Sequence, residues 1–399
     1  MCDKFGPRIP FSMVLCLASI PTALTGFVNS ATGLAVLRFF IGLAGSTFVT
    51  CQYWSSRMFA KEVVGTSNAL TAGWGNLGGG VTQLVMGSLL FPLFKLFFDG
   101  DAERAWRSVS VVPAVVAFAS GVMIYTTSED CPKGNYGTMK KKGLMGEVSA
   151  AGSFSAGALN FNTWLLFIQY ACCFGVELTM NNASALYFKE KFGLTTETAA
   201  AIASIFGWMN LFARGLGGLL SDFLNSKMGM RGRILAQTVC LLFEGVLVLI
   251  FANSNTLGGS IVVLVIFSLF VQASEGTSYG IVPYVDPPNT GSIAGIIGAG
   301  GNTGAVCFGL GFRNLEVKPA FYIMGFSIIA SSLLSVFVFL PGHAGLVCGK
   351  DDPSKQNFKL SLANGGEGAK AVDSEKGIVV VAATDPSKVV EGDSEEMYA

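Results

Sequence analysis

Apolar residues come in about ten runs, each close to the length of a membrane crossing and separated by short polar stretches. A spanning helix needs about 20 mostly apolar residues. On that ruler the spans fall near 9–29, 33–55, 64–92, 108–127, 161–187, 197–220, 233–252, 259–284, 290–312 and 319–341. Four precede a polar stretch at 128–160 and six follow it. From 343 the chain turns polar (DDPSKQ, NGGEGAK, EGDSEE) and reads as a disordered tail. The pattern predicts an all-α membrane protein in two parts. A four-helix half occupies 1–127, an interhalf loop 128–160, a six-helix half 161–342 and a cytoplasmic tail 343–399.

Composition narrows the class further. Hydrophobic residues make up 51% of the 399 and charged residues 13%, where a soluble domain carries about 25% charged. Net charge is zero, with 26 basic and 26 acidic residues, so bulk electrostatics offer nucleic acid no reason to bind. The partner implied by the chain as a whole is the lipid bilayer. Of the nine cysteines, Cys16, Cys51, Cys172, Cys173, Cys240 and Cys307 lie in or beside apolar runs, where Cys behaves as a small hydrophobe. With a lone His343 and no nucleophile–base pair, neither a metal site, a cofactor site nor an enzyme is expected.

Cytoplasmic loops carry an excess of lysine and arginine. One set of alternate loops holds Lys4, Arg8, Arg57, Lys61, Lys140, Lys141, Lys142, Lys227, Arg231 and Arg233, and the tail adds Lys350, Lys355 and Lys359. The opposite loops mix Arg104, Arg107, Lys189 and Lys191 with Asp99, Asp101, Glu103 and Glu190. The bias places both termini in the cytosol. A weak repeat accompanies it. Cys2-Asp3-Lys4-Phe5-Gly6-Pro7-Arg8 matches Gly218-Leu219-Leu220-Ser221-Asp222 followed by Gly229, Arg231 and Arg233. Both put an acid at a helix end, then Gly and Arg in a short basic loop. Internal repeats of this kind mark secondary transporters, and Asp3, Gly6, Arg8 and Asp222 become candidate gating residues.

Two glycine runs occupy corresponding places in the two halves. They are Ala72-Gly73-Trp74-Gly75-Asn76-Leu77-Gly78-Gly79-Gly80 and Gly291-Ser292-Ile293-Ala294-Gly295-Ile296-Ile297-Gly298-Ala299-Gly300-Gly301-Asn302-Thr303-Gly304. Close helix packing explains small residues without any ligand, but each run also carries an Asn. No strand precedes either run, which argues against a dinucleotide loop.

These runs resemble the paired nitrate signatures of the nitrate/nitrite porter family within the major facilitator superfamily. The stretches QYACCFGVELTMNN at 169–182, FARGLGGLLSD at 212–222 and EGTSYGIVPYV at 275–285 are similar to eukaryotic high-affinity members, in order from residue 2 to about 341. The resemblance implies a twelve-helix plan, of which the chain as given carries about ten and begins after the second. It also implies transport of nitrate, or of nitrite as well, with an accessory membrane subunit as a further partner. The plasma membrane is the expected location and the vacuolar membrane the alternative.

Arg214 lies within a span, where an unpaired charge costs at least about 2.5–3.5 kcal/mol. It must snorkel, pair with Asp222, or meet a ligand. Its planar fork suits a flat oxyanion better than a lysine would, and the resemblance makes it one of two clamping arginines. The other belongs to the second helix of the plan. Tyr170, Phe174 and Glu177 stand at i, i+4 and i+7, on one helix face. By default such aromatics are packing residues. The resemblance implies that Tyr170 offers its hydroxyl to the anion, that Phe174 lines the pocket, and that Phe48 and Tyr279 sandwich the ion. Tyr279 departs from the family's commoner Phe. Asn76 and Asn302 would donate amide hydrogens, beside Gly73, Gly75 and Gly301 of the signatures.

Drawing an anion into a negative interior costs about 2.3 kcal/mol per charge per 100 mV, so co-transported protons are expected. Glu177 is the first candidate to carry them and Glu275 the second, with pairing to a cation as the alternative role. Exchange of nitrate for nitrite without protons is the rival transport mode. A truncated, non-transporting sensor or partner subunit is the rival of another class.

Overall fold

The computed structural model describes residues 1–60, 62–78, 83–143 and 149–352, and no strand occurs among them. Lys61, residues 79–82 (the last two glycines of the 72–80 run among them), residues 144–148 of the interhalf loop and the tail from 353 lie outside the described residues. Ten helices organise the rest: α1 (Arg8–Phe27), α2 (Ala31–Met58), α3 (Val64–Asn76), α4 (Ala102–Thr127), α5 (Phe161–Phe192), α6 (Thr198–Met228), α7 (Met230–Asn253), α8 (Leu257–Tyr284), α9 (Pro287–Asn314) and α10 (Val317–Phe337). All but α3 are long and apolar enough to cross a membrane, nine among the described residues. The third expected span, 64–92, contains residues 79–82, which are outside them; the chain resumes as a π-helical stretch Gln83–Leu90 and a helix Phe91–Phe97.

Several helix starts follow from the polar residue just before the apolar run. Ser30 Oγ accepts from the Gly33 amide (3.0 Å) at α2, and Asp101 accepts from the Glu103 and Arg104 amides (2.9 and 3.1 Å) at α4. Asn160 and Thr256 do the same for α5 and α8. At 32 residues, α5 is about 48 Å long, and it stops at Gly193, whose φ of 62° is the left-handed cap that glycine adopts freely.

Packing then pairs α1 with α4, α5 with α9, α7 with α8 and α10, and α6 with α8. Across the two groups, α3 lies against α6 and α8, and α2 meets α9. Glycine permits the closest of these approaches. A Cβ on Gly175 of α5 would stand 2.8 Å from the Gly304 backbone of α9, and one on Gly218 of α6 would stand 2.5 Å from the Gly65 carbonyl oxygen.

Two expected loops hold more structure than their polarity suggests. The 128–160 stretch contains helices Tyr136–Lys141 and Ala150–Leu159. The tail expected to be disordered from 343 begins as a folded turn. Arg231 donates to the carbonyls of Gly345 and Gly349 (3.1 and 3.0 Å), and Asp351 accepts from the Ala344 amide (2.9 Å). Backbone carbonyls satisfied by a guanidinium dock a polar segment without an apolar face.

Candidate functional site

Arg214 is wholly buried in α6, just after the helix breaks into the 3-10 turn Met209–Leu211. Burying a guanidinium is tolerable only if its donors are met. Its Nη2 forms an ion pair with Glu275 of α8, also buried, and donates to the Tyr170 hydroxyl at 3.3 Å. The guanidinium carbon stands 5.8 Å from the ring centres of both Phe48 and Phe174. Arg214 Nε and Nη1 are buried with no hydrogen-bond partner in the structure. A guanidinium has five N–H donors and no acceptor, so this one retains donors on two nitrogens for an external acceptor. The expected alternative, pairing with Asp222, does not occur, because Asp222 pairs with Arg233 at 2.6 Å.

Four rings surround the guanidinium, contributed by α2, α5 and α8. Phe48 and Phe174 are nearly parallel, 5.8 Å between centres and 8° between planes. Phe48 and Tyr279, the expected plates of a sandwich, instead meet edge to face at 5.3 Å and 88°. Tyr170 stacks on Phe174 at 5.4 Å and meets Tyr279 at 5.2 Å. Tyr279 donates its hydroxyl to the Ala294 carbonyl at 3.2 Å, anchoring the ring to α9. A flat ion held between two ring faces needs about 7 Å between them, twice a contact distance, so the rings must part to admit one.

Glu177, two turns along α5 from Tyr170, is buried among amides. Its Oε1 accepts from Asn210 at 2.7 Å and its Oε2 from Asn76 at 3.3 Å. Asn76 thus joins the site through Glu177. Asn302 does not join it; its side chain is exposed and its amide bonds the Gly298 carbonyl of its own helix at 3.5 Å. Gly73 fits tightly, since a Cβ there would lie 2.7 Å from the Asn210 carbonyl and 3.2 Å from the Arg214 side chain. At Gly301 an added Cβ would overlap the Phe174 ring, whereas Gly75 has open space around it. Asn210 carries no signal in the sequence: it lies in the 3-10 turn Met209–Leu211, and only the packing of α6 on α5 brings its amide to Glu177.

A second cluster lies at the starts of α3 and α9. The α-helical turns of α3 and α9 start after Val63 and Asn289, neither of which caps them with a side chain. Their free amides are met from elsewhere. Asp222 accepts from the Gly65 and Thr66 amides (3.1 and 2.6 Å), and Asp3, itself buried, accepts from the Gly291 amide (3.1 Å) and the Ser153 hydroxyl (2.8 Å). A carboxylate at a helix N-terminus is favoured by the helix dipole. Gly6 (φ 81°) packs on Asp130, which also accepts from the Arg8 amide at 3.0 Å. Gly229 (φ 62°) packs on Asp351 in the same manner. Asp130 and Asp351 were not singled out in the sequence; their signal is Asp130-Cys131-Pro132 matching Asp351-Asp352-Pro353 at the ends of the two halves. Arg57 adds a bond to the Pro287 carbonyl at 3.1 Å. Beneath it the Tyr53 and Tyr136 hydroxyls meet at 3.0 Å, and burial pushes the Tyr136 phenol above its ordinary value.

Nine helices long and apolar enough to cross a membrane among the described residues, packed around a buried arginine, place the chain among multi-span membrane proteins. Comparison with known proteins makes it specific. The Major Facilitator Superfamily model matches residues 1–309. The high affinity nitrate transporter 2.5 of Arabidopsis thaliana is 38% identical over 352 residues, covering 87% of this chain and 70% of that one. Nitrate transporter 2.1 of Chlamydomonas reinhardtii is 33% identical (89% and 66%), and the nitrate/nitrite transporter NrtP of Nostoc punctiforme is 27% identical (86% and 83%). Among solved structures, the fucose:proton symporter FucP of E. coli superposes with a TM-score of 0.60 at 15% identity, over 83% of each chain. The human organic anion transporter MFSD10 follows at 0.55 and 13%, over 84% and 78%. The chain belongs to the major facilitator superfamily, in its nitrate/nitrite porter family, and is a multi-pass membrane protein.

Proposed function

We propose that this protein moves nitrate, and nitrite with it, across a membrane by proton-coupled symport, the halves 1–127 and 161–342 alternating access to a site at Arg214. The observation that carries the proposal is Arg214 itself: a buried cation with two nitrogens still free to donate, set among four aromatic rings. Such a site favours a small, flat, weakly hydrated anion over a bulky or tetrahedral one. The names of the relatives support the same substrate class. Phe48, Tyr170, Phe174 and Tyr279 line the proposed site, Asn76 and Asn210 orient Glu177, and the two aspartate caps hold one gate shut.

Proton coupling rests on charge. Arg214 already faces Glu275, with Glu177 nearby, and a further anion raises the negative charge of a low-dielectric interior. Taking up protons offsets that charge. The plasma membrane is the proposed location, with the capped gate on the cytoplasmic side. Labelled nitrate uptake by the reconstituted protein tests the proposal: saturable uptake, inhibited by nitrite and driven by an inward proton gradient, is expected. Uptake that needs internal nitrite and ignores pH would establish exchange instead, and no nitrate flux at all would remove the transporter assignment.

A further inference from the structure

Glu244 is a wholly buried carboxyl on α7 that the site described above does not use. Its Oε2 lies 2.6 Å from the Ser274 hydroxyl of α8, and its Oε1 is buried with no hydrogen-bond partner. No lysine, arginine or histidine forms an ion pair with it among the described residues. The titratable groups within its reach are thiols, Cys172 and Cys173 from α5 and Cys240 from its own helix. From α10, Gly325 and Ile329 face the same stretch of α7 across from Gly245. A lone ionised carboxylate in such a place is among the costliest arrangements in a membrane.

The hydrogen-bond count favours its neutral form. Ser274 Oγ also lies 2.7 Å from the Val271 carbonyl, and a hydroxyl has one proton to give. The carbonyl can only accept. Each contact is a full two-centre hydrogen bond when Glu244 carries a proton and donates it to Ser274 Oγ, which then donates to Val271; an ionised Glu244 would leave the single Ser274 proton shared between two acceptors. Glu177 is built the other way: both of its oxygens accept from amides, the arrangement of a carboxylate. Glu275 is ion-paired. Of the three acids, Glu244 alone is arranged as a neutral acid.

We propose that Glu244 is a proton-binding site of the transport cycle, loaded in this conformation and linked to the Arg214–Glu275 pair through α8. Ser274, which receives the proton's hydrogen bond, is the chain neighbour of Glu275. An anion arriving at Arg214 competes with Glu275, and any shift of that carboxylate moves the α8 turn that holds Ser274. Below Ser274 the interface stays polar. The Ser274 carbonyl accepts from the Ser278 hydroxyl at 2.9 Å, and Gln237 Nε2 donates to Ser278 Oγ at 2.8 Å. Gln237 lies one turn from Arg233, the partner of Asp222 at the gate. The step is a plain protonation: one proton joins Glu244 on one side of the membrane and leaves on the other.

This inference rests on the transporter proposal only for its role in coupling, and the test separates the two. In the purified full chain, the infrared carbonyl band of a protonated carboxyl should be present in the wild type and lost in Glu244→Gln. An unchanged band in the variant overturns the assignment, whether or not nitrate is carried. In proteoliposomes, Glu244→Gln should cut gradient-driven nitrate uptake by about tenfold or more, with monodisperse protein and a flattened pH profile. Wild-type uptake with the wild-type pH profile also overturns it. Ser274→Ala, a milder change, should shift that profile; a purely structural Glu244 predicts lower protein yield with the profile unmoved.

Discussion

At the scale of single residues, donor geometry separates Arg214 from an ordinary buried ion pair. Lysine at this position would keep the charge against Glu275 but would lose the fork, with its donors on Nε and Nη1. A hydrogen bond to a charged group contributes about 1.5–3 kcal/mol, so losing one or two lowers nitrate affinity by at least roughly tenfold. Arg214→Lys should therefore insert and purify normally while nitrate uptake falls to background, and near-normal uptake of labelled nitrate by this variant would remove Arg214 as a ligand. Arg214, Tyr170 and Glu177 stood out in the sequence because a charge in an apolar run and a fixed helical spacing are local signals. The carboxylate facing Arg214 was not legible. Asp222 is the nearer acid along the chain, but it is taken up by Arg233 and the first amides of α3, and Glu275 reaches the guanidinium because α8 packs on α6.

At the scale of elements, the glycine runs act through helix contact, and unequally. Gly73 and Gly301 abut Arg214 and Phe174, while Gly75 has no neighbour within 4 Å of an added Cβ. Overpacking a tight position costs about 1–3 kcal/mol. Gly73→Leu and Gly301→Leu should each abolish transport by wedging α3 from α6 or displacing the Phe174 ring, whereas Gly75→Ala should transport as the wild type does. Equal behaviour of all three would mean that the runs reflect composition alone. The sequence marked these runs as one feature, because close approach depends on which side of each helix faces a neighbour. The helix caps follow the same logic. Ser30, Asp101 and Asn160 cap their own helices and are readable in sequence, but α3 and α9 borrow Asp222 and Asp3 from far along the chain.

At the scale of the whole molecule, coupling and gating set the observable signature. One nitrate entering with one proton moves no net charge, so an inward positive current on adding nitrate at acidic external pH requires at least two protons per anion. That current is expected, and three buried acids, Glu177, Glu244 and Glu275, offer enough sites. Glu177→Gln should weaken it while nitrate binding persists, since an amide cannot take up and release the proton; binding and current lost together would instead mark Glu177 as a packing residue held by Asn76 and Asn210. Electroneutral uptake that depends on internal nitrite and ignores external pH would leave exchange as the mode. The gate belongs to this scale too. Asp222→Ala should uncap α3 and leave Arg233 without its ion-pair partner Asp222, and a cysteine placed near the closed end should then react faster with a membrane-impermeant maleimide.

Class, helical content, the placement of nine of the ten expected spans and the loop repeat were determined by the sequence alone. Each depends on hydrophobic length or local spacing, and a bilayer enforces both because every buried backbone group must be satisfied within its own helix. The tertiary structure decided the partnerships: Glu275 and not Asp222 for Arg214, Phe174 and not Tyr279 as the plate parallel to Phe48, Asn302 outside the ring cluster, and Glu244 alone with a serine. Those choices turn on which faces of distant helices meet, and small residues scattered over several helices set that contact jointly, so no single stretch of sequence records it.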